Sequence, residues 1–202
     1  MGRLPTHAAQ AASHKVIMKY LTLLAVSIAL SSTAFAQKTN EAIQKQIKSL
    51  KADKQIELTY DTGGKTSKIF AKAENFSDAD AKNAGVQAMN FGIAYFYPGN
   101  SLTASPEYIN FTFWVLTKKP QFANGSKWIV TLSSGPLDLG DSRYVGKPGE
   151  QMEYLNFKIK RDDLAKIAAA SNVKFKIGSK DFTFTPGQLQ MFKSIIAISD
   201  TK

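Results

Sequence analysis

Lysines recur at every second position in two C-terminal segments whose intervening residues are apolar. The candidate ligand-binding residues are Lys158, Lys160, Lys174 and Lys176, with Tyr154 on the same face. Because successive side chains of a strand point to opposite faces, each lysine pair lies on one face of a sheet. If the two strands are neighbours, the four ammonium groups form one basic patch that attracts phosphorylated or carboxylated polymers. The alternative is that the lysines only solubilise the exposed face of a one-sided sheet.

Acidic residues in and beside a glycine-rich segment, residues 134–150, allow a second kind of chemistry. Two carboxylates that flank a cleft can cleave a glycosidic bond. The candidate acidic site consists of Asp141, Glu150 and Glu153. The alternative function is therefore that of a carboxylate-dependent hydrolase acting on an envelope glycan.

The N-terminal 36 residues are interpreted as an upstream extension followed by a cleaved signal peptide. Lys19 supplies the positive charge, residues 21–30 form an apolar run, and Ala34-Phe35-Ala36 is the cleavage site. The run is shorter than the roughly 18 residues of a membrane-spanning helix, so we expect no transmembrane anchor after cleavage. The protein is expected to be exported, periplasmic or secreted, in a bacterium.

The residues that the chain lacks exclude several kinds of catalysis. The sequence has no cysteine, and both histidines, His7 and His14, lie within the first 36 residues. The mature chain then has no imidazole or thiol for Ser-His or Cys-His nucleophiles, or for zinc, copper and haem sites. No stretch has the aspartate spacing of a calcium loop. We expect no metal and no organic cofactor.

The mature chain carries more basic than acidic residues. The sequence has 26 Lys and Arg against 16 Asp and Glu, and the first 36 residues hold three of those bases and no acid. Residues 37–202 therefore carry a net charge of +7. A basic surface attracts anionic polymers. Nucleic acid is not the expected partner, because the protein is exported.

Hydrophobic periodicity predicts a single α+β domain over residues 37–202, with a largely antiparallel sheet and helices at the ends and on one face. The predicted strands are 55–60, 65–73, 86–97, 108–118, 127–133, 152–160, 173–177 and a segment at 182–184. The predicted helices are 40–53, 77–85, 162–170 and the segment that begins at Pro186. Residues 134–150 are expected to form a long surface connection, with room for a short strand at 143–145.

Two further expectations concern the faces of the strands. The segment 86–97 has small residues, Gly92 and Ala94 among them, on one side, which predicts that a helix packs closely there. The aromatic residues predicted to belong to the core include Phe111, Phe113, Trp114 and Trp128. Any aromatic side chain that is exposed is a candidate for binding a sugar ring or an apolar ligand.

The C-terminal part of the chain resembles the tail of a group of uncharacterised exported bacterial proteins. The resemblance is carried by residues 159–178, IKRDDLAKIAAASNVKFKIG, and continues through Phe182-Thr-Phe-Thr to Leu189 and Phe192. It covers about residues 153–196. It implies an order of strand, helix, strand, hairpin and helix, and it implies no catalytic residue.

These observations predict an exported, non-catalytic binding or accessory protein. The expected partner is an anionic envelope polymer or another envelope protein, bound through the lysine-bearing sheet face or through residues 134–150. The hydrolase would instead require a convergent acidic pair in a cleft. A purely structural accessory subunit would have an exposed apolar patch or a long unprotected edge strand.

We expect the natural product to begin at Gln37, after translation from Met18 and cleavage behind Ala36. N-terminal sequencing of the protein isolated from its source would check this. A product that retains residues 1–17 would contradict translation from Met18, and one that retains residues 21–30 would contradict cleavage.

Overall fold

Segments of alternating apolar and polar residues form the strands of the protein. A computed structural model describes residues 37–72, 75–146 and 151–201. The strands are β1 Lys38–Thr39, β2 Ile56–Asp61, β3 Thr66–Lys72, β4 Ala88–Pro98, β5 Ser101–Leu102, β6 Tyr108–Leu116, β7 Lys127–Leu132, β8 Gly135–Asp141, β9 Arg143–Val145, β10 Met152–Lys160, β11 Lys174–Ile177 and β12 Lys180–Thr183. The helices are α1 Asn40–Ser49, α2 Asp78–Ala84, α3 Arg161–Ala169 and α4 Pro186–Ser199.

The strands form three antiparallel sheets in the described part of the chain. The largest has six strands in the order β2-β3-β4-β6-β10-β9, and the second has four in the order β12-β11-β7-β8. The third is the short pair β1 and β5. The predicted α+β fold with a largely antiparallel sheet is confirmed.

Aromatic side chains hold the six-stranded and four-stranded sheets face to face. Trp128 on β7 is fully buried, and its ring centroid lies 4.6 Å from that of Phe111 on β6 and 5.2 Å from that of Phe157 on β10. Helix α4 also packs on the six-stranded sheet, since the ring centroid of Phe192 lies 5.9 Å from that of Phe111. Both sheets therefore bury one face in a shared core, and the other face of each is their outer face.

The helix boundaries follow the capping signals of the sequence. The Ser77 hydroxyl accepts a hydrogen bond from the backbone N–H of Asp80, and Gly85 ends α2 with φ +74°, a left-handed conformation that glycine adopts without strain. Thr185 and Gln188 form a capping box at α4, with Pro186 in the first turn. None of the helices within the described ranges has both the length and the apolar character needed to cross a bilayer.

The glycine-rich segment is more ordered than the sequence predicted. Instead of a long connection, residues 135–141 form β8, which pairs with β7 from Leu132 opposite Gly135 onwards. Gly135 and Gly140 have φ of +115° and +90°, so glycine permits the turn into β8 and the irregular register near its end. The glycines that suggested a loop are thus the residues that let this strand pair. The short strand at 143–145 is present as β9, and residues 147–150 lie outside the described residues.

The prediction that a helix packs on the small-residue face of β4 is wrong for the described residues. Helix α1 packs on the opposite face of the six-stranded sheet, where Asn40 donates a hydrogen bond of 2.9 Å to the buried Ser67 on β3. Above Gly92 and Ala94 lies an open hollow that is lined only by residues of β3, β4 and β6. Neighbouring aromatic rings take the place of a helix there.

Two cations attach the C-terminal end of α4 to the rest of the fold. The Lys38 ammonium donates to the carbonyl oxygens of Ala197 and Ile198, at 3.3 and 3.1 Å, and also to that of Asp200. Arg161 donates to the Ile196 carbonyl at 3.2 Å. Burial lowers the pKa of Lys38, and the Asp200 carboxylate opposes this shift. The positive charges complement the negative end of the helix dipole.

We expect Lys38→Met to lower the free energy of unfolding by about 1–3 kcal/mol, because the carbonyls at the end of α4 lose a charged donor. Urea denaturation followed by circular dichroism measures this change. Lys45→Met, at an exposed position of α1, is the matched control and should change stability little. An equal loss in both variants would contradict the role given to Lys38.

Candidate functional site

Five cations share the outer face of the six-stranded sheet. Along β3 and β10 their side chains alternate with buried residues, and on β9 the cation lies opposite the outward Asn156, so all five point away from the core. They are Lys68, Lys72, Arg143, Lys158 and Lys160. Tyr154 lies on the same face, opposite Trp114 in the register of β10 and β6.

The predicted patch of four lysines is not formed, because its two strands are not neighbours. Strand β10 belongs to the six-stranded sheet, whereas β11 lies between β12 and β7 in the other sheet. The two sheets pack through the apolar residues between the lysines. Lys158 and Lys160 therefore point outward from one side of the protein, and Lys174 and Lys176 point outward from the opposite side.

The outer face of the four-stranded sheet carries three cations, Lys127, Lys174 and Lys176, and three acids, Asp138, Asp141 and Asp181. The Lys176 ammonium lies 3.6 Å from the Asp181 carboxylate, and that of Lys127 lies 3.0 Å from Asp138. The hydrogen bond from Lys127 is the main cause of the lowered pKa of Asp138. This face therefore has little excess positive charge to offer a partner.

The outer face of the six-stranded sheet has no such balance. None of its five cations forms an ion pair with an acid of the described residues, and no acid points outward from β3, β4, β6, β9 or β10. The outward carboxylates lie at its margins: Glu57 and Asp61 on the edge strand β2, and Glu107 just before β6. A hydrogen bond between Glu107 and Tyr108 raises the pKa of the tyrosine. Positive charge without an ion pair among the described residues thus lies on either side of the central strands β4 and β6.

A hollow of about 280 Å³ lies in the centre of this face. Ala94 forms its floor, because its small side chain lies between the larger side chains of Phe70 on β3 and Asn110 on β6. The lining residues are Lys68, Phe70, Gly92, Ala94, Phe96, Asn110, Thr112 and Trp114. We call this feature the aromatic hollow.

Gly92 determines where the rings of the aromatic hollow lie. A β-carbon at this position would stand 2.3 Å from Cη2 of Trp114 and 2.8 Å from Cε2 of Phe70, closer than van der Waals contact allows. The two rings meet above the glycine backbone edge to face, with centroids 6.4 Å apart and an interplanar angle of 74°. The absent side chain therefore allows two aromatic rings to close over the middle of β4.

Polar groups border the aromatic hollow. The Lys68 ammonium lies 4.7 Å from the ring centroid of Phe70 and 5.9 Å from that of Phe96, so cation–π attraction holds it over the rings. Phe96 is 54% exposed. Thr112 donates a hydrogen bond of 2.8 Å to Asn156 on the neighbouring strand. The site thus combines ring faces, amide and hydroxyl groups, and an ammonium group.

Sequence reasoning placed these aromatic residues differently. Phe111, Phe113 and Trp128 are core residues as predicted, but Trp114 faces outward. The alternation of side chains along a strand could have predicted this position. Because Phe111 and Phe113 belong to the core, Trp114 must point to the other face of β6. The outward position of Phe70 follows from the same alternation on β3.

The candidate acidic site is dispersed in the part of the chain that the structure describes. Glu153 is 1% exposed, and its two carboxylate oxygens accept backbone N–H groups of Gln121, at 2.9 Å, and Phe122, at 3.2 Å. Burial raises the pKa of Tyr144, and the Glu153 carboxylate adds to this rise. Asp141 is exposed at the end of β8, and Glu150 lies outside the described residues. Glu153 thus anchors the loop between β6 and β7.

Among the described residues, no three Asp, Glu, His or Cys side chains are grouped closely enough to hold a metal ion. Comparison of the chain with protein-family models, with curated proteins and with solved structures gave no match. The resemblance of about residues 153–196 to exported bacterial proteins therefore stays a prediction. The site is consequently interpreted from its own geometry.

We expect Glu153→Gln to lower the free energy of unfolding by about 1–3 kcal/mol, because an amide offers one acceptor oxygen where two backbone N–H groups need acceptors. Urea denaturation measures the loss. Asp141→Asn, which makes the same chemical change at an exposed position, should change stability by less than about 0.5 kcal/mol. A Glu153→Gln variant of wild-type stability that had lost glycan-cleaving activity would contradict the anchoring role and favour the hydrolase.

Proposed function

We propose that this protein is an exported, non-catalytic binding protein that engages an anionic polymer of the bacterial envelope. The binding surface is the outer face of the six-stranded sheet. Lys158, Lys160 and Tyr154 from the sequence analysis belong to it, and Lys68, Lys72 and Arg143 join them.

The observation that carries this proposal is the difference in charge between the two outer sheet faces. Lys176 and Lys127 on the four-stranded sheet each lie within 4 Å of a carboxylate, whereas the five cations of the six-stranded sheet have no such partner among the described residues. Unpaired cations on one surface attract a polyanion from solution, and several weak contacts along one polymer add together. The binding is therefore electrostatic and weakens as salt screens the charges.

Binding is favoured over catalysis by the positions of the carboxylates. Glu153, the buried member of the candidate acidic site, uses both oxygens to hold backbone N–H groups. The five cations lie on an open sheet face, which suits an extended polymer. The signal peptide predicted before Gln37 would bring this face into contact with the envelope.

We expect the double variant Lys68→Glu/Lys158→Glu to lose at least about tenfold in affinity for anionic envelope polymers at low salt, equivalent to about 1.4 kcal/mol. The measurement is retention of the purified protein on immobilised envelope material, separated into polysaccharide, lipid and protein fractions. Wild-type retention should fall at high salt because the interacting charges are exposed.

The matched control is Lys174→Glu/Lys176→Glu, which changes the net charge by the same amount on the opposite outer face. This variant should be retained almost as strongly as the wild type. Equal losses in the two variants would mean that net charge alone governs retention, and would contradict a site on the six-stranded sheet. Retention of the wild type by none of the fractions would contradict the proposed function itself.

A further inference from the structure

We propose that the aromatic hollow is a subsite for one sugar ring, so that the polymer bound by this face is an anionic glycan, a chain of sugar rings that carry carboxylate or phosphate groups. This inference rests on the proposed function and specifies its ligand class. It concerns Phe70, Phe96 and Trp114 around Ala94, none of which a purely electrostatic surface requires.

The three rings of the hollow are exposed to solvent at a cost in free energy. Phe96 is 54% exposed, and the rings of Phe70 and Trp114 line an open hollow although the inner face of the same sheet is packed with aromatic residues. Large aromatic side chains gain free energy when they are buried. A partner that covers these three rings would remove their apolar surface from water, and the free energy gained would favour binding.

The aromatic hollow has the chemical groups that a sugar ring needs. A pyranose ring has apolar C–H groups on its faces and hydroxyl groups at its edge. The Phe96 and Trp114 rings can contact the C–H face, while the exposed Asn110 amide and the Thr112 hydroxyl lie at the same level as hydrogen-bonding partners. The small side chain of Ala94 leaves the space that a ring would occupy.

Cations lie on both sides of the aromatic hollow. The Lys68 ammonium is held over the Phe70 ring at 4.7 Å, at the border of the hollow. On the opposite side of the hollow, Lys158 on β10 pairs with Asn110 on β6. The Lys158 ammonium lies 4.4 Å from the ring centroid of Tyr108. A ring seated above Ala94 would therefore have a cation on each flank, which suits a sugar bearing an anionic group and neighbours that bear others.

The other polyanions use only part of this surface. A polypeptide carboxylate or polyphosphate chain needs the cations but gives the aromatic rings no flat apolar partner. An acyl chain would cover the rings but would offer no hydrogen-bonding group to the Asn110 amide or the Lys68 ammonium. A sugar ring with an anionic substituent is the ligand class that satisfies all three kinds of group.

The test compares two carboxylated polymers, polygalacturonate, which has sugar rings, and polyglutamate, which has none. The wild-type protein should bind polygalacturonate more tightly. Ala94→Leu fills the floor of the hollow and should weaken polygalacturonate binding about tenfold while leaving polyglutamate binding within about twofold of wild type. Affinities are measured by titration in solution at one salt concentration.

Ala88→Leu is the matched control, because it makes the same change on the outer face of β4 outside the hollow, and it should leave both affinities unchanged. Trp114→Ala is the second variant, and it should also lose affinity only for polygalacturonate. Circular dichroism checks that each variant is folded.

Equal wild-type affinities for the two polymers, or an Ala94→Leu variant that binds polygalacturonate as well as the wild type does, would overturn the sugar subsite. In that case, loss of polyglutamate binding in Lys68→Glu/Lys158→Glu would still support the proposed function. If that double variant bound polyglutamate as tightly as the wild type does, the proposed function would fail, and the inference would fail with it.

Discussion

The packing of aromatic side chains between the two large sheets is the interaction on which the rest of this structure depends. The chain has no cysteine, so no disulfide assists the fold. Trp128 fills the space between Phe111 and Phe157, and Phe76 contacts rings on both sheets, Phe113 and Phe175 among them. Because a strand offers only two faces, burying these rings fixes which residues of every core strand remain outside. The candidate site is composed of those outside residues.

The two outer faces then differ because different residues alternate with the core. On β11 and β7, Lys176 and Lys127 pair with Asp181 and Asp138 on neighbouring strands. On β3 and β10, Lys68 and Lys158 lie over aromatic rings instead. One face is thus near electrical balance, and the other combines unpaired positive charge with exposed aromatic surface. This contrast gives both proposals their common basis and makes one sheet the natural control for the other.

Gly92 links the fold to the proposed site. In the interior of a strand, glycine weakens the sheet because it adds no side chain to pack. Here it permits two neighbouring rings to close over the strand, and Ala94 keeps the adjacent space open. The small residues of β4 therefore leave the aromatic hollow open to solvent, with aromatic rings as its walls. Core packing beneath β4, through Phe91 and Ile93, keeps the strand in place.

The amino-acid sequence by itself determined the kinds of chemistry available, most of the strands and helices, and which residues of each strand share a face. It determined these because composition, capping residues such as Ser77 and Thr185, and a period of two are local properties. Tertiary structure decided which strands are neighbours. It separated Lys158 from Lys174, paired Gly135–Asp141 as a strand, and brought Lys68, Phe70 and Trp114 around Ala94. Strand order depends on the burial of the whole aromatic core, a free energy that no single segment contains.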